Sequence, residues 1–169
     1  MNKTRRLALI ALFSVLLGTF LSQLSIPTPL GIPLTLQTFG VALCGRVLGK
    51  GSGTLSVALW LALGAVGFPV FSGFQGGVAP LFGPTGGFLW GFLPLAFCCG
   101  RQGGWYYLTS LAGLIFCHLL GILWFAKTAD QTFLQGAVTV SLPFLLKDVF
   151  CVVLAGPLGN RLRRIAFRS

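Results

Sequence analysis

Long apolar runs without charge are the feature that most restricts how this chain can fold. The run at residues 7–24 is 18 residues long, which is enough to cross a bilayer as a helix. In lipid, such a run satisfies its backbone only as a helix or in a closed barrel, and the alternation that a barrel requires is absent. Only 8% of the residues are charged, against about 25% in soluble domains. We therefore predict an all-α membrane protein.

Six such runs predict a bundle of six transmembrane helices, forming a single domain over residues 1–169. The predicted spans are residues 7–24, 33–48, 53–68, 83–99, 105–125 and 143–162. Basic residues precede the first run, as in a signal peptide. No cleavage site with small residues follows it, so we predict that this run stays in the protein.

The basic residues fall on one side of the membrane if the number of spans is six. They precede the first span, border the second connection, occupy the fourth and follow the last span, and the net charge is +10. By the positive-inside rule, the protein is predicted to lie in the cell membrane with both termini cytoplasmic. The cations suit anionic headgroups of the lipid bilayer. No basic face with aromatic residues accompanies them, so nucleic-acid binding is not predicted.

The connections predicted to face outward are residues 25–32, 69–82 and 126–142, and they are rich in Gly, Pro, Thr, Gln and aromatic residues. The second of these connections contains most of the sequence FSGFQGGVAPLFGPTGG, which spans residues 71–87. Non-helical backbone at membrane depth occurs only where it is buried in protein or lines a cavity. The length of this glycine-rich segment is typical of a lid or a binding loop. We therefore expect a binding site that faces outward.

Lys147 and Asp148 interrupt a segment that is otherwise uncharged from residue 133 to residue 156. Pro143 suits the first turn of a helix, so we expect the pair in the second turn of the last span, near the outer interface. Sequence neighbours on a helix point about 100° apart, so each charge should have its own partner. A charge at mid-membrane depth costs about 3 kcal/mol, which favours ligand binding over a structural ion pair.

Polar residues at the start of the second span allow two interpretations. Thr35 and Thr38 are expected to share a helical face, with Gln37 to one side. They would either form hydrogen bonds between helices or contact a ligand. His118, alone in the fifth span, is expected to be packed or hydrogen-bonded rather than a ligand-binding residue.

The first span carries a stripe of small residues at Ser14, Gly18 and Ser22, which Ala11 extends. Such a stripe lets another helix approach closely. That helix could belong to the same bundle or to a partner protein, and the spacing does not separate the two.

No set of residues typical of a catalytic, cofactor or metal site is present in the sequence. The five cysteines lie in apolar runs, without zinc or redox spacing, and are predicted to be small buried residues. Two aspartates are the only acids. With no nucleophile–base pair and no nucleotide-binding motif, we predict a protein that is not an enzyme and has no ATPase of its own.

Four segments resemble the signature sequences of the BioY family, the biotin-specific substrate-binding (S) components of energy-coupling factor (ECF) transporters. They are IPLTLQT at 32–38, LGAVGFPVFSG at 63–73, the glycine pair Gly76 and Gly77, and LFGPTGGFLWGF at 81–92. The similarity continues in order and spacing from about residue 7 to residue 165.

The resemblance implies a six-helix bundle of the S-component type that binds biotin at its outer face. The first and third connections would help to close the site, with Phe71 to Phe82 as a lid and residues 83–87 as the turn into the fourth helix. The implied partners are a transmembrane coupling subunit and two ATPase subunits. Ser14, Gly18 and Ala11 would contact the coupling subunit, although the family usually has a pair of alanines there.

Biotin offers two ureido N–H donors, an apolar ring and a carboxylate. The resemblance implies that Asp148 accepts from the ureido group and that Lys147 pairs with the carboxylate. The other implied ligand contacts are Thr35, Gln37, Phe71, Phe74, Gln75, Gly76, Gly77, Phe82 and Cys151.

One departure from the family pattern F-L-P-G-D-x-x-K concerns the cation. Asp148 falls on the family aspartate, but Cys151 falls on the family lysine and Lys147 on its glycine. Positions 147 and 151 stack on one helical face, so we hypothesise that Lys147 supplies the same charge from one turn away. The alternatives are a weaker site, another amphipathic vitamin such as lipoate, or a membrane protein without a transport function.

Overall fold

The computed structural model describes residues 3–26 and 34–167, which are mainly helical. Helix α1 (Lys3–Leu16) continues as a π-helical turn at Leu17–Leu21. Two short strands follow, β1 (Ser25–Ile26) and β2 (Leu34–Thr35), and they pair antiparallel. The remaining helices are α2 (Gln37–Leu48), α3 (Lys50–Ala65), α4 (Ala79–Phe82), α5 (Gly86–Cys99), α6 (Tyr106–Thr128), α7 (Phe133–Gly136) and α8 (Leu142–Ala166).

The prediction of a helical chain is confirmed, and each predicted span overlaps a helix. In the described part of the chain, three helical segments are long and apolar enough to cross a membrane: Lys3–Leu21, Tyr106–Thr128 and Phe133–Ala166. Helices α2, α3 and α5 have 12, 16 and 14 residues and are shorter than a full span. The count of six spans therefore stays a prediction. Its second span was predicted to begin at Pro33, outside the described residues.

One predicted connection is wrong. Residues 126–142 are mostly helical, because α6 extends to Thr128 and Thr132 begins α7 with a capping box that it forms with Gln135. A π-helical turn at Ala137–Ser141 then joins α7 to α8. Within α8, Pro143 lies in the first turn and Lys147 and Asp148 in the second, as predicted.

Thr35 lies in a strand and not on the same helix as Thr38. It pairs with Ser25 in the two-stranded ribbon, and α2 begins two residues later at Gln37. A β-branched residue such as threonine suits the extended backbone.

Helix α2 lies among α3, α5 and α8, and α5 packs along α6. The core between them contains Trp60, Phe92 and Leu95, each at most 5% exposed. Close approach of the helices depends on small residues. A Cβ on Gly91 would lie 2.8 Å from the sulfur of Cys117. All five cysteines are free, and four of them, including Cys117, are buried as predicted, whereas Cys98 is only partly buried.

One end of the bundle is basic. Arg6 donates to Ser52 Oγ at 2.7 Å, Arg46 to the carbonyl of Arg101 at 2.7 Å, and Arg163 to the carbonyl of Val47 at 3.0 Å. These contacts bring the start of α1, the α2–α3 turn, the α5–α6 connection and the end of α8 together. The turn itself is a single residue, Gly49, whose φ of +83° favours glycine.

Replacing Gly53 with alanine should destabilise the bundle. The added Cβ would lie 2.6 Å from Gly45 Cα and 2.7 Å from the carbonyl oxygen of Cys44, and backbone atoms cannot rotate away. We expect a loss of about 1–3 kcal/mol in the free energy of unfolding, measured as a lower melting temperature in detergent. Gly104→Ala is the control, because no atom lies within 4 Å of its new Cβ. Equal melting temperatures for the two variants would contradict this packing.

Candidate functional site

A cavity of about 440 Å³ opens at the end of the bundle opposite the basic end. It lies between the starts of α2 and α5, the second half of α6 and the first half of α8, under the connection from α3 to α5. Its polar lining residues are Thr35, Gln37, Thr38, Ser72, Gln75, Thr85, His118, Lys147 and Asp148.

The polar side chains meet at the carboxylate of Asp148, which is only 6% exposed. One oxygen, Oδ1, lies 2.5 Å from Lys147 Nζ, and the other, Oδ2, lies 3.3 Å from His118 Nε2. Thr38 lies beside the same carboxylate. The ammonium of Lys147 also donates to the backbone carbonyl of Thr35 at 2.8 Å. The cavity therefore has one charged corner, formed by α2, α6 and α8.

Lys147 and Asp148 each have a separate partner, as expected, in the Thr35 carbonyl and His118, but they also pair with each other. Their Cβ atoms point in different directions around the helix, but the long stem of Lys147 curves back to its neighbour. The lysine side chain is 21% exposed and the aspartate side chain 8%. The ion pair thus neutralises a buried carboxylate and keeps the ammonium at the cavity wall.

Most of the cavity wall is apolar. Aromatic rings from every side surround it, and Leu89, Leu114 and Val140 fill the gaps between them. The rings belong to Phe71, Phe88, Phe92, Phe125 and Phe144. A mostly apolar pocket with a few polar groups at one corner is typical of a site for a small amphipathic molecule.

The segment of residues 69–83 covers the cavity and is held by indole N–H groups. Trp60 on α3 donates to the carbonyl of Val70 at 3.0 Å. Trp90 on α5 donates to the carbonyl of Leu81 at 3.1 Å, and Trp124 on α6 to that of Gly83 at 3.0 Å. Both ends of the segment are therefore fixed to the helices.

Gln23, after α1, holds the first turn of the same segment. Its amide nitrogen donates to the carbonyl of Phe71 at 2.9 Å, and its amide oxygen accepts from the N–H of Phe74 at 2.9 Å. Phe74 and Gly73 have φ angles of +58° and +71°. For Phe74 this conformation is strained, and the Gln23 hydrogen bond helps to maintain it.

Six of the eleven residues predicted to contact the ligand line the cavity: Thr35, Gln37, Phe71, Gln75, Lys147 and Asp148. Phe74 and Phe82 are 70% and 63% exposed and lie outside it. Gly76 and Gly77 pack on the end of α3, where Gly77 N–H donates to the carbonyl of Gly64 at 2.7 Å. Cys151 is buried one turn below Lys147, and it is not part of the cavity wall.

The small-residue stripe of α1 faces its own bundle. Ser14 donates to the carbonyl of Ser56 on α3 at 2.8 Å, and a Cβ on Gly18 would lie 2.7 Å from Cβ of Val70. Of the three residues predicted to contact a partner, only Ala11 is exposed. Packing within the bundle therefore accounts for Ser14 and Gly18.

Several residues of this site had no signal that distinguished them in the sequence. His118 was expected to be packed or hydrogen-bonded, and it bonds to Ser141 Oγ at 2.8 Å while also lining the cavity. Gln23 resembles any polar residue at the end of a helix. Their roles depend on contacts between elements far apart in the sequence. No cluster suited to a metal ion occurs among residues 3–26 and 34–167.

Comparisons with known proteins agree on one family. The model of the BioY family matches residues 1–168. The probable biotin transporter BioY of Pyrococcus horikoshii is 40% identical over 94% of this chain and 99% of its own length. The biotin transporter BioY of Thermotoga maritima is 40% identical over 83% of this chain and 86% of its own.

A solved structure has the same fold. The crystal structure of the S-component for biotin from an ECF-type ABC transporter superposes with a TM-score of 0.86, at 27% identity. The match covers 97% of this chain and 95% of that one. The helical bundle described above is therefore an S-component fold.

Replacing Gln23 with alanine should loosen the first turn of the covering segment. Its two hydrogen bonds to Phe71 and Phe74 would be lost. At about 1 kcal/mol for each bond, we expect amide hydrogen exchange around residues 71–75 to become roughly tenfold faster or more. Gln102→Ala is the matched control, because Gln102 donates to two carbonyls at the basic end. Unchanged exchange in the Gln23 variant would contradict this role.

Proposed function

Because the chain belongs to the BioY family, we propose that it is the biotin-binding S component of an ECF-type transporter and captures biotin at the outer end of its bundle. The named relatives are biotin transporters, and the superposed structure is an S-component for biotin. The observation that carries the proposal is the buried Asp148–Lys147 corner in an otherwise aromatic cavity. As a binding subunit of a transporter, the protein is not an enzyme.

The cavity suits biotin in size and in chemistry. Its volume of about 440 Å³ falls in the range of about 300–1,000 Å³ typical of small-molecule sites. The apolar ring of biotin would lie among the phenylalanines. Asp148 would accept hydrogen bonds from the ureido N–H groups, because the two oxygens of a carboxylate have about four acceptor sites and Lys147, His118 and Thr38 do not fill all of them.

We propose that Lys147 pairs with the ligand carboxylate and replaces the cation that the family has at the position of Cys151. Two observations support this. Lys147 borders the cavity, whereas Cys151 does not. The side chain of Lys147, whose ammonium is held by Asp148 and by one backbone carbonyl, is still 21% exposed. Its flexible stem lets it exchange the contact with Asp148 for one with the ligand.

The chemistry of the charged corner favours biotin over lipoate. Lipoate shares the carboxylate and an apolar ring but has no N–H donor. Binding it would bury Asp148 further without a new hydrogen bond, which is costly for a carboxylate. Biotin supplies two donors at that point, so the site should discriminate between the two vitamins.

We also propose the six-span arrangement with both termini cytoplasmic, in one domain embedded in the cell membrane. The clustering of Arg6, Arg46 and Arg163 at one end supports it, because basic residues favour the cytoplasmic side. The proposed partners are a transmembrane coupling subunit and its two ATPase subunits. The exposed side of α1 around Ala11 is available for that contact, since Ser14 and Gly18 are buried.

The ligand contacts are tested by isothermal titration with biotin, biotin methyl ester and lipoate. We expect wild type to bind biotin most tightly. Asp148→Asn should weaken biotin binding by roughly ten- to a hundredfold, because a charge-assisted acceptor is lost. Lys147→Ala should weaken biotin binding and abolish the preference for biotin over its methyl ester.

The chain offers matched controls for both variants. Asp130→Asn and Lys127→Ala change the other acid and a nearby lysine, which are exposed at the α6–α7 connection, and should bind like wild type. Failure of wild type to bind biotin would refute the proposed function. If Lys147→Ala weakened binding of acid and ester equally, Lys147 would not be the partner of the carboxylate.

We propose residues 71–82 as the lid of this site. Phe71, Ser72, Gln75 and Pro80 border the cavity, and the indole contacts fix only the two ends of the segment. Bound biotin should therefore slow amide hydrogen exchange between Ser72 and Pro80 more than at the basic end of the bundle. The measurement compares the two regions with and without biotin, and equal protection in both states would contradict a lid.

A further inference from the structure

We propose that His118 is a positioning residue of the ligand site, which holds the carboxylate of Asp148 through its Nε2–H. The inference rests on the proposed function, because it concerns the residue assigned to the ureido group. His118 lies on α6, is 5% exposed, and contacts the carboxylate oxygen that Lys147 does not, with Nε2 at 3.3 Å from Oδ2. Its other ring nitrogen lies 2.8 Å from Ser141 Oγ.

The chemistry of these groups fixes the direction of the hydrogen bonds. Asp148 is ionised beside the ammonium of Lys147, so it only accepts, and Nε2 of His118 must carry the proton. In a neutral imidazole, Nδ1 is then an acceptor, so the Ser141 hydroxyl donates to it. The result is a series of hydrogen bonds in which Ser141 donates to His118 and His118 donates to Asp148.

The fold places both end residues of this hydrogen-bond series, Ser141 and Asp148, on one surface of the last helical segment. Ser141 and Asp148 are seven residues apart, which is two helical turns, and both are buried. Ser141 is the last residue of the π-helical turn that leads into α8. The edge of the Phe88 ring packs on the imidazole, with centroids 5.6 Å apart at 87°. The imidazole is therefore confined by α5 and α8 together.

His118 becomes more important once ligand is bound. If Lys147 turns toward the ligand carboxylate, Asp148 loses its cation while it stays buried. His118 is then the fixed donor that keeps Oδ2 in place, so that the other lone pairs face the ureido N–H groups. A hydrogen-bond donor on the far side of a carboxylate orients it toward the ligand. Hydrogen bonds from neighbouring residues orient the ligands of a metal ion in the same way.

Two amide variants separate positioning from simple packing. In His118→Gln the amide nitrogen can occupy the place of Nε2, and in His118→Asn it reaches only the place of Nδ1. We expect the Gln variant to bind biotin much as wild type does. The Asn variant should bind roughly ten- to a hundredfold more weakly, as for loss of a hydrogen bond to a charged group. Loss of the same contact should also lower the melting temperature of the ligand-free Asn variant, so the affinities of both variants are measured well below their melting temperatures.

A ligand-free measurement keeps this inference separate from the proposed function. His118 is the only histidine of the chain, so its ¹⁵N imidazole signals need no assignment. We expect the neutral tautomer with the proton on Nε2, and a shift of the Nδ1 signal in Ser141→Ala. Protonation on Nδ1 would overturn the chain of hydrogen bonds. Equal biotin affinity of the Gln and Asn variants would overturn the positioning role. Failure of the wild-type protein to bind biotin would instead refute the proposed function itself.

Discussion

The buried carboxylate of Asp148 is the constraint on which the polar part of this structure depends. An ionised group with 6% exposure in an apolar bundle requires partners, and they come from three helices. Lys147 supplies a cation, His118 a ring nitrogen and Thr38 a neighbouring hydroxyl group. These partners fix the register of α2, α6 and α8 at the end of the bundle where the cavity opens. The contacts that stabilise the buried carboxylate also form the charged corner of the cavity.

Close packing in the rest of the bundle relies on small residues, together with polar contacts such as that of Ser14 with Ser56. Glycines face cysteines or backbone at the helix crossings, and Gly49 alone forms the turn between α2 and α3. Helices form most of the cavity wall, while the covering segment contains three residues with positive φ, Gly73, Phe74 and Gly77. Stability and ligand access are thus assigned to different parts of the chain, as is common for binding sites closed by a loop.

Much of the fold and the main charged residues could be predicted from the sequence. Apolar runs indicated the helices, and Lys147 and Asp148 were conspicuous because each breaks an uncharged segment. The helix across residues 133–142 was missed, because glycine, threonine and serine are common loop residues, and the Thr132 capping box and the π-helical turn accommodate them. The ion pair between neighbours and the role of His118 depend on side-chain conformation and on contacts across the bundle, which spacing cannot supply.

The indole hydrogen bonds to the covering segment also have a spectroscopic consequence. Three of the four tryptophans, Trp60, Trp90 and Trp124, each donate to a carbonyl of residues 70–83 from a different helix. The fourth, Trp105, is 62% exposed. Indole emission depends on the hydrogen bond and polarity around its nitrogen, so three of the four emitters report on the contacts of this one segment. If the segment moves as a lid, the protein carries its own optical reporter of that movement, with no label required.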